Sequence, residues 1–174
     1  MSGTNQTIKT GSILISAPSL EDPYFDKVVI YITEYNEKGA MGFVMNQVFD
    51  RTFNELTDYQ SSKPFPLHEG GPVERENLYF IHRAPGAIKQ GRPIADGVYM
   101  GGDFKQTVDY LNTAHDAESN LRLFIGYSGW DPNQLEDEIK EGSWLIVEAS
   151  VTTIFQTAEA SLWEVLERRV NIRP

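Results

Sequence analysis

There is no cysteine in these 174 residues. That absence excludes disulfide staples, thiolate nucleophiles and every zinc or iron–sulfur site built on cysteine, and it agrees with a reducing compartment. Long hydrophobic runs are missing too. No stretch reaches the ~20 apolar residues of a membrane-spanning helix, and the opening "MSGTNQTIKTG" lacks the apolar core of a secretory signal. A cytoplasmic location without membrane contact is therefore expected. Basic residues are scarce: 15 Lys and Arg stand against 25 Asp and Glu, a formal net charge of −10. Such a surface repels a phosphate backbone except on a local basic patch, so direct DNA binding is not expected. The three histidines, His68, His82 and His115, lack metal-ligand spacing. His68-Glu69 cannot open an H-E-x-x-H helix, because Gly70-Gly71-Pro72 follows at once. No metal or cofactor is implied.

What is present suits a folded domain. Hydrophobic residues make up 40% of the chain and charged ones 23%, enough apolar content for a core at this length. No repeat or Gly/Ser linker divides the chain. It reads as one domain over 1–174, with 1–10 and 170–174 as terminal tails. Strands are expected at 11–16, 77–82, 97–102, 121–128 and 143–149, and a hairpin over 27–46. The continuous apolar run from Val28 to Ile32 suits a strand covered on both faces, and "NEKG" (36–39) supplies the turn. Helices are expected at 51–59, 103–114, 131–142 and 161–169. Asp103 with Gln106 forms a capping-box signature, as does Asp131 with Gln134, and Gly142 suits a helix C-terminus. Strands and helices mix without a βαβ rhythm, which argues an α+β fold.

The stretch "GYSGWDPNQLEDEIKEGSWL" (126–145) draws the eye because Ser128 stands at a strand-to-helix turn. A nucleophile elbow needs G-x-S-x-G; Gly126 and Ser128 fit, but Trp130 fills the last position. Ser128 is read as structural. Glu138 borders the Leu135–Ile139 stripe of the helix, with Gln134 one turn earlier on the same side. A carboxylate placed there needs a partner, and a scaffold hydrogen bond to a backbone N–H or an indole is the expected one. "HEGGPVE" (68–74) is no phosphate loop, since glutamates flank it and no Lys-Ser/Thr follows. Its glycines read as a tight turn or a close backbone approach.

"GSILISAP", "GAMGFVMN", "HEGGPVERENLYFIH" and "GYSGWDPNQLEDEIKEGSW", in this order and spacing, resemble the AlgH/YqgE family of bacterial proteins from about Gly11 to about Glu167. The resemblance implies a single α+β domain with a bent, barrel-like mixed or antiparallel sheet flanked by helices, and a cytosolic location. The family is linked by name to transcriptional regulation of alginate production, and no agreed activity comes with it. Its motif residues here are Gly42, Asn46, Gly70, Gly71, Pro72, Gly126, Gly129, Trp130, Gln134, Leu135, Glu136, Glu138 and Trp144. None carries a known catalytic role. The family accepts alanine at the position of Ser128.

One segment breaks the acidic pattern. From Asn77 to Ala95 there is no Asp or Glu, yet Arg83, Lys89 and Arg92 are present with His82. In an acidic protein this loop is the expected contact for an acidic ligand or partner. Three classes of function follow. The first is a non-enzymatic regulatory or adaptor protein with a macromolecular partner or acidic ligand. The second is a small-molecule-binding protein or hydrolase with a site near Trp130, Gln134 and Glu138. The third, ranked last, is a direct DNA-binding regulator, disfavoured because the helix from 131 to 141 carries five acidic residues and one lysine.

Overall fold

The computed structural model describes residues 7–20, 22 and 25–171. Ten strands make one curled sheet: β1 (Ile13–Ser16), β2 (Val29–Asn36), β3 (Gly39–Val44), β4 (Val48–Thr52), β5 (Pro66–Glu69), β6 (Val73–His82), β7 (Arg92–Ala95), β8 (Val98–Met100), β9 (Leu121–Trp130) and β10 (Trp144–Val147). The main path runs β10-β1-β2-β3-β9-β6-β8-β7, and β4 and β5 attach beside β9. Every recorded pair is antiparallel except β5 with β9. Five helices flank the sheet: α1 (Phe104–Thr113), α2 (Ala117–Asn120), α3 (Gln134–Lys140), α4 (Val151–Gln156) and α5 (Glu159–Asn171). The fold is α+β, a bent barrel-like sheet with helices around it.

Alternation along β2 shows how the sheet is covered on both faces. Val29 and Tyr31 enter the cluster that fills the hollow of the barrel. Val28, Ile30 and Ile32 enter a second cluster on the outer face, beneath α3 and two tryptophans. The continuous apolar run thus serves two cores at once. α4 and α5 close one end of the hollow through Ile154, Phe155, Leu162, Trp163 and Leu166, and the Trp163 indole donates to Ser16 O at 3.0 Å. A third cluster packs α1 and α2 against β5, β6 and β9.

The hairpin and α1 form where the sequence places them; Asp103 Oδ1 accepts from Gln106 N at 2.9 Å. The helix expected at 51–59 does not form. β4 runs to Thr52, and two short 3-10 turns follow at Phe53–Glu55 and Thr57–Tyr59. Thr52 and Glu55 form a capping box that opens the first of these turns, but Leu56 takes an extended conformation and ends it after one turn. α3 begins at Gln134, not Asp131. Asn133 takes a left-handed φ of 70° at its start, and Gln134 Oε1 instead accepts the Asp131 N–H at 2.9 Å. Of the expected tails, Ile8 is buried against the outer cluster and α5 runs to Asn171. The rest of both, residues 1–6 and 172–174, lies outside the described residues. Among the described residues no helix is long and apolar enough to cross a membrane.

Candidate functional site

β9 ends at Trp130, α3 follows, and β10 begins at Trp144, so both indoles return to the same helix. Glu138 sits between them. Its Oε1 accepts from Trp130 Nε1 at 3.0 Å and from Trp144 Nε1 at 2.9 Å, while Oε2 accepts from Gln134 Nε2 at 3.1 Å. The rings meet edge to face at 6.0 Å, a favoured aromatic geometry. Glu138 is half-buried rather than buried, Gln134 is exposed, and Trp130 and Trp144 are both buried. Of the two expected partners, a backbone N–H or an indole, the carboxylate has the second, from two tryptophans.

Ser128 is 1% exposed, and its hydroxyl donates to Gly70 O at 3.2 Å. Gly70 and Gly71 belong to a crossing. β5 lies on one side of β9 and β6 on the other, so residues 70–72 must carry the chain over β9. They pass at Gly126. A Cβ on Gly70 would lie 2.4 Å from Gly126 O, and one on Gly126 would lie 2.5 Å from Gly71 O. Gly42 makes a similar approach inside the hairpin, where an added Cβ would lie 2.6 Å from Tyr31 O. The side chain of Asn46 ties β3 back to β2, accepting from Val29 N at 2.9 Å.

The basic segment is not one patch. Arg83 is half-buried; it donates to Ser119 O at 2.8 Å and stacks on Phe155 at 4.7 Å, pinning the end of β6 to α2 and α4. Arg92 reaches Glu34 of β2 at 3.5 Å, with both side chains about half exposed. Lys89 is exposed on the loop, and its backbone is held by Gln106 and Asp103 of the α1 cap. His82 is buried, accepting from Ala84 N and hydrogen-bonded to Gly101 O, and burial pushes its pKa below the ordinary histidine value.

Sequence reasoning missed a further polar cleft of about 140 Å³, lined by His68, Arg122, Glu118, Phe155 and Glu159. His68 Nε2 lies 2.7 Å from Glu159 Oε2, at the start of α5, and His68 Nδ1 is sealed without a partner. The buried Arg122 guanidinium donates to the carbonyls of Glu118, Leu121 and Phe155 and so closes the ends of α2 and α4. His68 and Glu159 are 91 residues apart, and no local pattern joins them. The hydrogen bond from His68 holds the Glu159 carboxyl down at about 2. A depressed carboxyl stabilises the fold above its unfolded pKa, and the gain fades as pH falls from about 4.5 towards 2. Glu159→Gln should therefore lower stability at neutral pH by about 1–2 kcal/mol, a figure reduced for the exposed part of the side chain. The gap in urea midpoint between the two proteins should narrow below pH ~4.5 and close as pH nears ~2. An equal gap at pH 7 and pH ~2 would exclude the His68–Glu159 hydrogen bond as its source. Among the described residues no group of three or more His, Asp or Glu could hold a metal ion.

A family model described as AlgH-like (DUF179) matches residues 13–174. The chain belongs to the AlgH-like family. Its relatives include a UPF0301 protein of Chlorobium phaeobacteroides, 35% identical over 91% of this chain and 84% of the relative. Another, from Cytophaga hutchinsonii, is 36% identical over 92% of this chain and 89% of its own length. Among solved structures, AlgH from Pseudomonas aeruginosa matches with a TM-score of 0.76 at 23% identity, covering 99% of this chain and 94% of that one. Protein DIP2367 from Corynebacterium diphtheriae matches with a TM-score of 0.73 at 23% identity, over 99% of this chain and 91% of that one. At that identity the two structures speak for the fold alone, which this chain shares with both.

Proposed function

We propose that this AlgH-like protein is a cytoplasmic, non-enzymatic adaptor that acts by binding a macromolecular partner or an acidic ligand. The observation carrying this reading is that the side chains with nucleophile or base chemistry are committed to the scaffold. Ser128 is sealed on Gly70 O. His68 has one ring nitrogen on Glu159 and the other closed from solvent, so neither is placed to take a substrate proton. Glu138 spends both oxygens on indole and amide donors. Lys89 and Arg92 remain as exposed cations of the 77–95 segment, on the loop and the β7 strand that end the sheet. Charge there selects partners and speeds encounter more than it adds affinity, so the association should weaken with salt.

The test is a pull-down from native cytosol with wild type beside Lys89→Glu/Arg92→Glu, at low and moderate salt. Arg83 stays unchanged because it anchors α2 and α4. The double variant is expected to melt like wild type and to lose the salt-sensitive partner. Recovery of the same partners in the same amounts would remove the acidic-partner reading. Turnover of a defined substrate that Ser128→Ala or His68→Gln abolishes would remove the non-enzymatic one.

A further inference from the structure

Part of the inner cluster, towards the β2–β3 hairpin and the ends of β6 to β9, is incompletely covered. There the core residues Met41, Tyr79, Ile94, Met100 and Tyr127 are only partly buried. A cavity of about 430 Å³ lies between the β2–β3 hairpin and the end of β9, a volume within the range of small-ligand sites. Its lining includes Met41, Val73 and Tyr127 as apolar and aromatic walls, and the carboxylates of Glu34 and Asp131. Lys38, on the hairpin tip, is the one cationic side chain of the lining.

Two features fit this cavity to a cation. The first is that Glu34 already holds one: the curl of the sheet brings Arg92 of β7 to it at 3.5 Å, with both side chains about half exposed. An exposed pair at that distance contributes little stability, so an incoming cation can take its place at small cost. The second is the aromatic wall. Tyr79 and Tyr127 meet edge to face at 5.6 Å. The Tyr79 hydroxyl donates to Glu74 at 2.7 Å, and Tyr127 hydrogen-bonds the same carboxylate. Glu74 thus fixes both rings in place, and a positioned tyrosine face attracts a cation. The thioether of Met41 and the side chain of Val73 offer a path for methylene groups beside it.

We propose that this cavity binds an alkylammonium group, its chain along Met41, Val73 and the Tyr127 ring and its charge between Glu34 and Asp131. The inference rests on the reading of this molecule as a binding protein, and it concerns a surface distinct from Lys89. The same chemistry arrives either as a free polyamine or as a lysine side chain of a partner.

The experiment uses the full chain and two probes, spermidine and a short oligolysine peptide, followed by calorimetry and by NMR shifts. Saturable binding is expected, with shifts at Glu34, Met41 and Tyr127. Glu34→Gln/Asp131→Asn should weaken it at least about tenfold, and Tyr127→Leu should weaken it without unfolding the protein. Arg92→Ala, which removes the internal competitor for Glu34, should tighten it. Tighter binding of spermidine assigns the site to a free amine; tighter binding of the peptide assigns it to a partner's lysine. Binding that does not saturate, or that Glu34→Gln/Asp131→Asn leaves unchanged, reflects only the overall negative charge and overturns the proposal. A salt-sensitive partner lost with Lys89→Glu/Arg92→Glu while neither probe binds would leave the adaptor reading standing and remove this one alone.

Discussion

Gly126→Ala should leave little folded protein. A Cβ at this position would lie 2.5 Å from Gly71 O and 2.9 Å from Val73 O, both backbone atoms that no rotamer change can move. The residue also sits at φ +72°, where a Cβ adds strain of about 1–2 kcal/mol before any clash. Overpacking against fixed backbone commonly costs about 1–3 kcal/mol and here has no route of relief. Together these reach about 3–5 kcal/mol, much of the stability of an ordinary domain. Gly71→Ala should behave alike, since its Cβ would fall 2.1 Å from the Tyr127 carbonyl carbon. Gly86→Ala is the control: nothing lies within 4 Å of a Cβ there, and its denaturation midpoint should match wild type. Soluble yield and urea denaturation measure all three. A Gly126→Ala protein that unfolds with the wild-type midpoint would show that the strand crossing relaxes freely.

The topology explains why the two glycine motifs belong together. β5 runs parallel to β9 and ends at Glu69, while β6 starts at Val73 on the opposite side of β9. Three residues, Gly70 to Pro72, must carry the chain across. Gly70 N donates to Ile125 O at 2.9 Å, and Val44 N donates to Gly70 O at 2.9 Å, so the crossing is also stitched to β3. Ser128 hydrogen-bonds the same Gly70 carbonyl from below.

The sequence was informative where local chemistry and burial agree. The β2–β3 hairpin could be read because an apolar run faces two cores and Gly39 turns at φ +125°. α1 could be read because Asp103 caps it as the spacing demands. α4 could not: "VTTIFQ" is rich in β-branched residues and speaks for a strand, and burial of Ile154 and Phe155 overrides that preference. β4, with "VFDRT" mostly exposed, has no apolar alternation to find. The glycine pair was legible as a close approach, but its partner Gly126 lies beyond local reach. His68 meeting Glu159, and Arg92 meeting Glu34, depend on how the sheet curls, which no spacing along the chain records.

Glu138→Ala should cost about 2–4 kcal/mol, because it strips the acceptor from two indole N–H groups at once. Trp130 is 7% exposed and Trp144 2%, so water reaches neither ring freely. A buried donor left without a partner loses its bond and keeps its desolvation penalty. The half-buried position of Glu138 keeps the loss at the lower part of what two buried donors would give. Glu138→Gln keeps a carbonyl oxygen in place and should recover roughly half of it, since a neutral acceptor is weaker than a carboxylate. Urea unfolding followed by tryptophan fluorescence reads both rings directly, and loss of the shared acceptor should also move the folded-state emission. A cycle with Trp144→Phe isolates the pair: Glu138→Ala should cost less in that background, because one of its two donors is already gone. If Glu138→Ala melts like wild type, the indoles find water instead, and Glu138 with Gln134 becomes free to serve a ligand at this corner.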